Sequence, residues 1–245
     1  MKIVEKINME REDLVKEGPI TIVAFGDSVT HGAVASGINN YETVYWNRLR
    51  QKINAVRSYV PVNVINAGIG GTTAAGSLGR MERQVFAHHP DLVIVCFGLN
   101  DANGTLEKYI SSLETIFDRC IQHDTDTIFM TPNMLNTYVA DDTDEPVRKY
   151  AASTAKIQNS GKMDMFMEAA CKLARAKGIA VCDCYAKWKE LSRSEDTTML
   201  LANRINHPLP EMHELFADSL FRNIFEDMPE VIKENCSTMW GGECE

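Results

Sequence analysis

Four short blocks of this chain carry residue types that perform acyl transfer when they are brought together. The first, Gly26-Asp27-Ser28-Val29-Thr30, follows an apolar run without a break. The second is Asn66-Ala67-Gly68-Ile69-Gly70-Gly71-Thr72-Thr73, the third Gly98-Leu99-Asn100-Asp101, and the fourth Asn206-His207-Pro208. Acyl transfer needs a nucleophile, a base and donors aimed at the developing oxyanion. Ser28 offers the hydroxyl and His207 the imidazole. The donors are the backbone N–H of Ser28, that of Gly71 and the side-chain amide of Asn100. A glycine at 71 lets the backbone approach substrate with no Cβ in the way.

Taken singly, each block has a bland reading. A serine after a strand caps helices, and Asn100-Asp101 suits an Asx cap for a helix starting near Asn103. Gly68-x-Gly70 resembles a dinucleotide loop, but Thr73 stands where the third glycine belongs, and the loop follows the second strand. Asp91, about 20 residues on, begins a strand instead of ending one, so it does not reach a ribose. Among the histidines, His88, His89 and His123 precede strands and belong to the far edge. His31 reads as too near Ser28 in sequence, and His213 lies inside the last helix. His207 is the base with the right location.

The elements that must position these blocks are legible as apolar runs alternating with segments of helical period. The strand candidates are 20–25, 62–65, 92–97, 127–130 and 179–181. Between them apolar residues recur at three and four: Tyr45, Leu49, Ile53 and Val56; Leu78, Met81 and Val85; Leu106, Ile110, Leu113, Phe117 and Cys120. A further helix carries Phe166, Ala170 and Leu173 and stops at Lys177-Gly178. The last has Met212, Leu215, Phe216, Leu220 and Ile224. Five strands, each followed by a helix and apolar without alternation, imply a doubly wound parallel α/β sheet buried on both faces. Ligands of such sheets sit beyond the carboxyl ends of the strands, where the first three blocks fall, the fourth standing immediately ahead of the last helix.

Gly-Asp-Ser near the N-terminus, Asn-x-Gly-x-x-Gly, Gly-x-Asn-Asp and a late His-Pro, in that order, resemble the SGNH or GDSL hydrolases. The resemblance covers about residues 20–225, inside a single domain spanning 1–245. It implies a flavodoxin-like three-layer α/β/α fold with a five-stranded parallel sheet. It also implies a serine-dependent esterase acting through an acyl-enzyme on a small polar or carbohydrate ester, acetyl or another short acyl being removed. Carried over block by block, it makes Ser28 the nucleophile, Gly71 and Asn100 oxyanion donors, His207 the base and Asp27 structural. The alternatives are a non-catalytic ligand-binding protein on the same fold, or a lysophospholipase or thioesterase type of acylhydrolase. A flavodoxin-like FMN binder ranks third.

The family places an aspartate three or four residues before the histidine, and here those positions hold Arg204 and Asn203. The partner of His207 is then Asn203, an acid from elsewhere such as Asp183 or Asp196, or a backbone carbonyl. The weakly patterned stretch 132–162 follows the fourth strand at the active edge, and Asn133, Asn136 or Tyr138 is expected to touch substrate.

The 245 residues carry 25 basic and 34 acidic side chains, a net charge of −9. That balance speaks against a nucleic-acid binder or an anionic membrane surface as partner. No run approaches the roughly 18 apolar residues of a membrane span, and the first residues lack the apolar core of a secretory signal. Seven cysteines, an odd count scattered through core segments, read as reduced thiols and a cytoplasmic location. Cys182-Asp183-Cys184 lacks the second ligand pair of a zinc site, so neither metal nor cofactor is expected. A homo-oligomer stays open, and the tail "STMWGGECE" is expected to fray or mediate contacts.

Overall fold

A computed structural model describes residues 1–35 and 37–225 of the chain; the tail discussed above and Cys236 and Cys244 lie outside the described residues. Strands β1 (Ile20–Gly26), β4 (Val62–Gly68), β5 (Leu92–Cys96), β6 (Asp126–Met130) and β7 (Ala180–Cys182) form one parallel sheet in the order β4-β1-β5-β6-β7. Between the first two run the short antiparallel strands β2 (Ala33–Ala35) and β3 (Ile38–Asn39). The strand order reverses beside β1, and in doubly wound sheets such a switch point opens the ligand crevice.

The helices are α1 (Lys2–Ile7), α2 (Arg11–Glu17), α3 (Ser28–His31), α4 (Tyr45–Val56), α5 (Ala74–Ser77), α6 (Met81–Gln84), α7 (Leu106–Gln122), α8 (Arg148–Asn159), α9 (Lys162–Ala176), α10 (Cys184–Leu191) and α11 (His213–Phe225). Those with a clear apolar period, α4, α7, α9 and α11, fall where the spacing puts them. Two elements differ from expectation. The Leu78–Met81–Val85 segment is broken into a 3-10 turn and the short α6, with α5 just before it. Inside the stretch 132–162 stands α8, whose buried face is Ala151, Thr154, Ala155 and Gln158. Small and polar residues fill that face, so no apolar period marks it.

Every residue of β5 is buried, as a central parallel strand requires. One apolar cluster continues from Ile3 and Ile7 of α1 through the sheet to Phe216 and Leu220 of α11. All five cysteines among the described residues are buried and unpaired, serving as small core side chains. No helix among the described residues is long and apolar enough to cross a membrane.

Register matters at the carboxyl edge. Gly26 pairs with Gly68 on one side and Cys96 on the other, so β1, β4 and β5 end level and their loops open on one crevice. The last turn of α3 lies directly on those ends. A Cβ on Gly68 would run into the backbone of Thr30 and His31, whereas one on Gly79 would meet nothing within 4 Å. Gly68→Ala is therefore expected to destabilise the chain by about 1–3 kcal/mol, as overpacking does. Gly79→Ala, at an open helical site, should be neutral or mildly stabilising. Equal melting temperatures for the two variants would show that α3 does not bear on β4.

Candidate active site

Four residues are too few to hold a helix alone, so α3 exists because its surroundings hold it. The Asp27 carboxylate accepts from the Val29 N–H at 3.0 Å, which caps the helix and leaves the Ser28 hydroxyl out of that task. Tyr45 Oη lies 2.9 Å from Thr30 Oγ1, Trp46 Nε1 donates to the Thr30 carbonyl at 2.9 Å, and Asn66 Nδ2 donates to the His31 carbonyl at 3.2 Å. Ser28 thus heads a fixed turn, 6% exposed. The expected strand-to-serine junction is present, with Asp27 and not Ser28 as the cap.

The glycine loop comes level with it. Thr72 N donates to the Ile69 carbonyl, closing a turn in which Gly71 has φ +75°, the left-handed region that favours glycine. A Cβ on Gly70 would lie 3.8 Å from Ser28 Cβ, so this loop borders the serine. Asn100 donates through Nδ2 to the Thr72 carbonyl at 3.0 Å, with Asp27 Oδ2 at 3.5 Å. Asp101 Oδ1 accepts from Ala74 N at 3.0 Å, tying the third block to the second. Blocks far apart in sequence are in this way joined around Ser28.

Arg80 adds a clamp from the side. Its guanidinium donates to the Ala67 carbonyl of β4 and the Gly26 carbonyl of β1, and it lies 4.5 Å over the Phe25 ring. Burial lowers its pKa to about 10, so it stays charged.

His207 rides on a loop braced from below. Leu201 and Pro208 form a bridge, Ala202 N donates to the His207 carbonyl at 2.7 Å, and Asn136 N donates to the Ile205 carbonyl at 2.9 Å. Burial pushes the His207 pKa down to about 4, a hydrogen bond from the ring to the Val34 backbone opposing it. Ring Nδ1 is buried without a hydrogen-bond partner. Burial also raises the Asp27 carboxyl to about 7, with the neighbouring Asp101 charge adding to the rise, and raises Asp101 to about 6. Desolvated groups of both kinds are therefore held toward their neutral forms.

Several expectations need correction. Asn203 does not orient the imidazole, because its Oδ1 accepts the N–H groups of Ile205, Asn206 and His207 at 2.9–3.0 Å. Arg204 turns away to Asp142 and the Met199 and Leu201 carbonyls. Asp183 caps α10 through Ala186 N and takes the Thr131 hydroxyl, and Asp196 takes the Tyr138 hydroxyl and Thr198 N. Asn133 and Asn136 are wholly buried and do not face substrate. Asn133 Nδ2 donates to the Asn206 carbonyl at 3.0 Å and braces the His207 loop, whereas Asn136 Nδ2 donates to the Ala151 carbonyl of α8 at 2.9 Å. Tyr138 stands apart from them on a polar surface cavity of about 710 Å³ whose lining includes Thr137, Asn159, Lys189 and Asp196 but none of the four block residues.

Three residues outside the expected set border the site. His31, dismissed by sequence proximity, is three positions from Ser28 on one helical turn, which puts both on one face. That spacing was the available signal. Arg80 and Val34 carried none, since an arginine in a helical segment and a valine in a short strand look like any others. Among the described residues, no group of three His, Cys, Asp or Glu side chains is placed to hold a metal ion.

The pattern of the GDSL-like lipase/acylhydrolase family matches residues 24–215 of the chain. A Bacillus subtilis protein described as the uncharacterized lipoprotein YqeF is 32% identical over 83 residues, 33% of this chain and 32% of that one. The chain thus matches about a third of that relative's length. Axe2, an acetylxylan esterase from Geobacillus stearothermophilus, shares the fold at TM-score 0.65 and 21% identity, over 84% of this chain and 94% of that chain. LAE5, an alpha/beta hydrolase enzyme from the metagenome of Lake Arreo in Spain, does so at TM-score 0.64 and 19% identity, over 83% and 94%. Solved catalytic mutants of Axe2 replace a serine, a histidine and an aspartate.

The raised Asp27 pKa makes stability depend on pH. Between about pH 4 and pH 7 the folded chain keeps a proton that the unfolded chain has released. The stabilisation is complete below the unfolded pKa and is lost as pH rises through about 7. Asn cannot ionise and retains an acceptor for the Val29 N–H. The melting temperature of Asp27→Asn relative to the parent should therefore climb from pH 5 to pH 8. A difference that does not change with pH would mean the carboxylate is not desolvated.

Proposed function

This chain belongs to the GDSL-like lipase/acylhydrolase family, serine carboxylic ester hydrolases, and on that premise we propose that it removes a short acyl group, acetyl first, from a hydroxyl-rich alcohol such as a carbohydrate. The observation that supports the reading is that Gly70 borders Ser28, a Cβ there lying 3.8 Å from Ser28 Cβ, while the Asn100 amide is bonded to Thr72 of the same glycine loop. The acetylxylan esterase activity named for Axe2 supports the choice of acyl group and alcohol.

In the proposed reaction Ser28 Oγ attacks the ester carbon while its proton passes to His207. The tetrahedral oxyanion takes hydrogen bonds from Ser28 N, Gly71 N and Asn100 Nδ2. Collapse breaks the bond to the alcohol, which leaves with the proton from His207. Water then attacks the acyl-enzyme by the same route, giving the carboxylic acid and free Ser28. A neutral His207 suits a base. With the Val34 backbone and no carboxylate on its ring, the imidazolium is less stabilised than in a full triad, so turnover is modest. The buried, unpartnered Nδ1 favours a second reading, a binding protein that does not turn over.

Hydrolysis of p-nitrophenyl acetate, abolished by Ser28→Ala, and labelling of Ser28 by a fluorophosphonate are the expected outcomes. A folded chain that does neither is the binding protein instead. Asn100→Ala should lower kcat about 100- to 1000-fold with KM little changed, because the donor acts in the transition state. A loss confined to KM would make Asn100 a ground-state contact. The acid limb of kcat/KM assigned to His207 should fall near pH 4, since only the neutral ring accepts a proton. A limb near pH 6.5 would mean the ring is solvated in the working enzyme.

A further inference from the structure

We propose that His31 contacts the substrate on the alcohol side of the scissile ester, its imidazole N–H donating to a hydroxyl of that alcohol and Tyr41 setting the tautomer. The inference rests on Ser28 as nucleophile. A point 3.8 Å from Ser28 Cβ, where Gly70 lacks a side chain, is also 3.8 Å from His31 Nδ1. The nucleophile, the glycine and the imidazole thus border one small space. A group bonded to the carbon that Ser28 attacks comes within reach of this space.

The ring is placed from both ends. Its backbone is pinned, since the last turn of α3 packs on Gly68 and the His31 carbonyl accepts from Asn66 Nδ2. Its far nitrogen Nε2 lies 3.4 Å from Tyr41 Oη, with the ring centroids 6.2 Å apart. When the phenol donates to Nε2, the ring proton sits on Nδ1, the nitrogen that faces Ser28 and Gly70. Tyr41 is 50% exposed and Gly70, Gly71 and Ile69 are exposed, so this is the side of the space that opens outward. A short acyl group does not need an open side, and the bulkier alcohol does. An N–H donor beside an exposed phenol ring matches an alcohol that carries further hydroxyls: the donor takes a hydroxyl oxygen and the ring face covers apolar C–H edges.

The test compares two esters with the same acyl group, a mono-O-acetylated methyl xyloside with free hydroxyls and phenyl acetate with none. The readout is the ratio of their kcat/KM values in the parent, His31→Ala, His31→Gln and Tyr41→Phe, each checked for an intact melting transition. The ratio should fall about three- to tenfold in His31→Ala, the range of one neutral hydrogen bond. His31→Gln, which keeps an N–H, should recover part of it, and Tyr41→Phe should fall in the same direction by less. An unchanged ratio in His31→Ala overturns the proposal. So does a fall on both esters together, which would make His31 a support of α3. A parent chain that cleaves phenyl acetate but not the xyloside ester overturns this proposal alone. One that cleaves neither and leaves Ser28 unlabelled overturns the nucleophile reading and this proposal with it.

Discussion

A helix of four residues pressed against the ends of two strands is the constraint on which the rest of the site depends. A Cβ at Gly26 would meet Thr30 and the Cys96 carbonyl, and one at Gly68 would meet the backbone of Thr30 and His31. Closeness of that order leaves α3 one position, and packed interiors do not deform gradually around such contacts. Ser28 at its head and His31 at its foot therefore inherit their coordinates from the sheet. Asp27 satisfies the first turn, Asn66 the last, and Arg80 ties the carbonyls at the ends of β1 and β4. The Ser28 turn is held in place by these hydrogen bonds together with the close packing on Gly26 and Gly68.

The histidine side is built on a different principle. No packed strand end carries His207. Its loop is a run of backbone groups satisfied by side-chain amides, with the half-buried Asn203 collecting three N–H groups and the buried Asn133 holding the Asn206 carbonyl. Amides used this way brace a loop, because leaving a buried backbone group unpaired costs about 1–3 kcal/mol. The same bracing explains why Asn203 is not available to the imidazole.

Burial gives the crevice its electrostatic character. Asp27, Asp101 and His207 are all desolvated, and the two acids and the base are all shifted toward neutrality. Hydrogen-bond donors act more strongly in such a desolvated site than in water.

The sequence by itself determined the class of the fold and the order of the blocks. Parallel strands buried on both faces must be continuously apolar, and the rule of the carboxyl edge then singles out Ser28, Gly71 and Asn100, which follow the ends of three strands. Local pattern also determined α4, α7, α9 and α11, whose buried faces are apolar. It could not reveal α8, whose inward face of Ala151, Thr154, Ala155 and Gln158 has no apolar period. Nor could it assign the amides. Asn133 and Asn136 are the same residue type as Asn100, and only the packing of distant segments decides which amide is wholly buried and which is not. The same holds for His31: three residues from Ser28, it is brought to the same face as Ser28 only because Asp27, Asn66 and the bare Cα of Gly68 hold a helical turn that the four residues would not form alone.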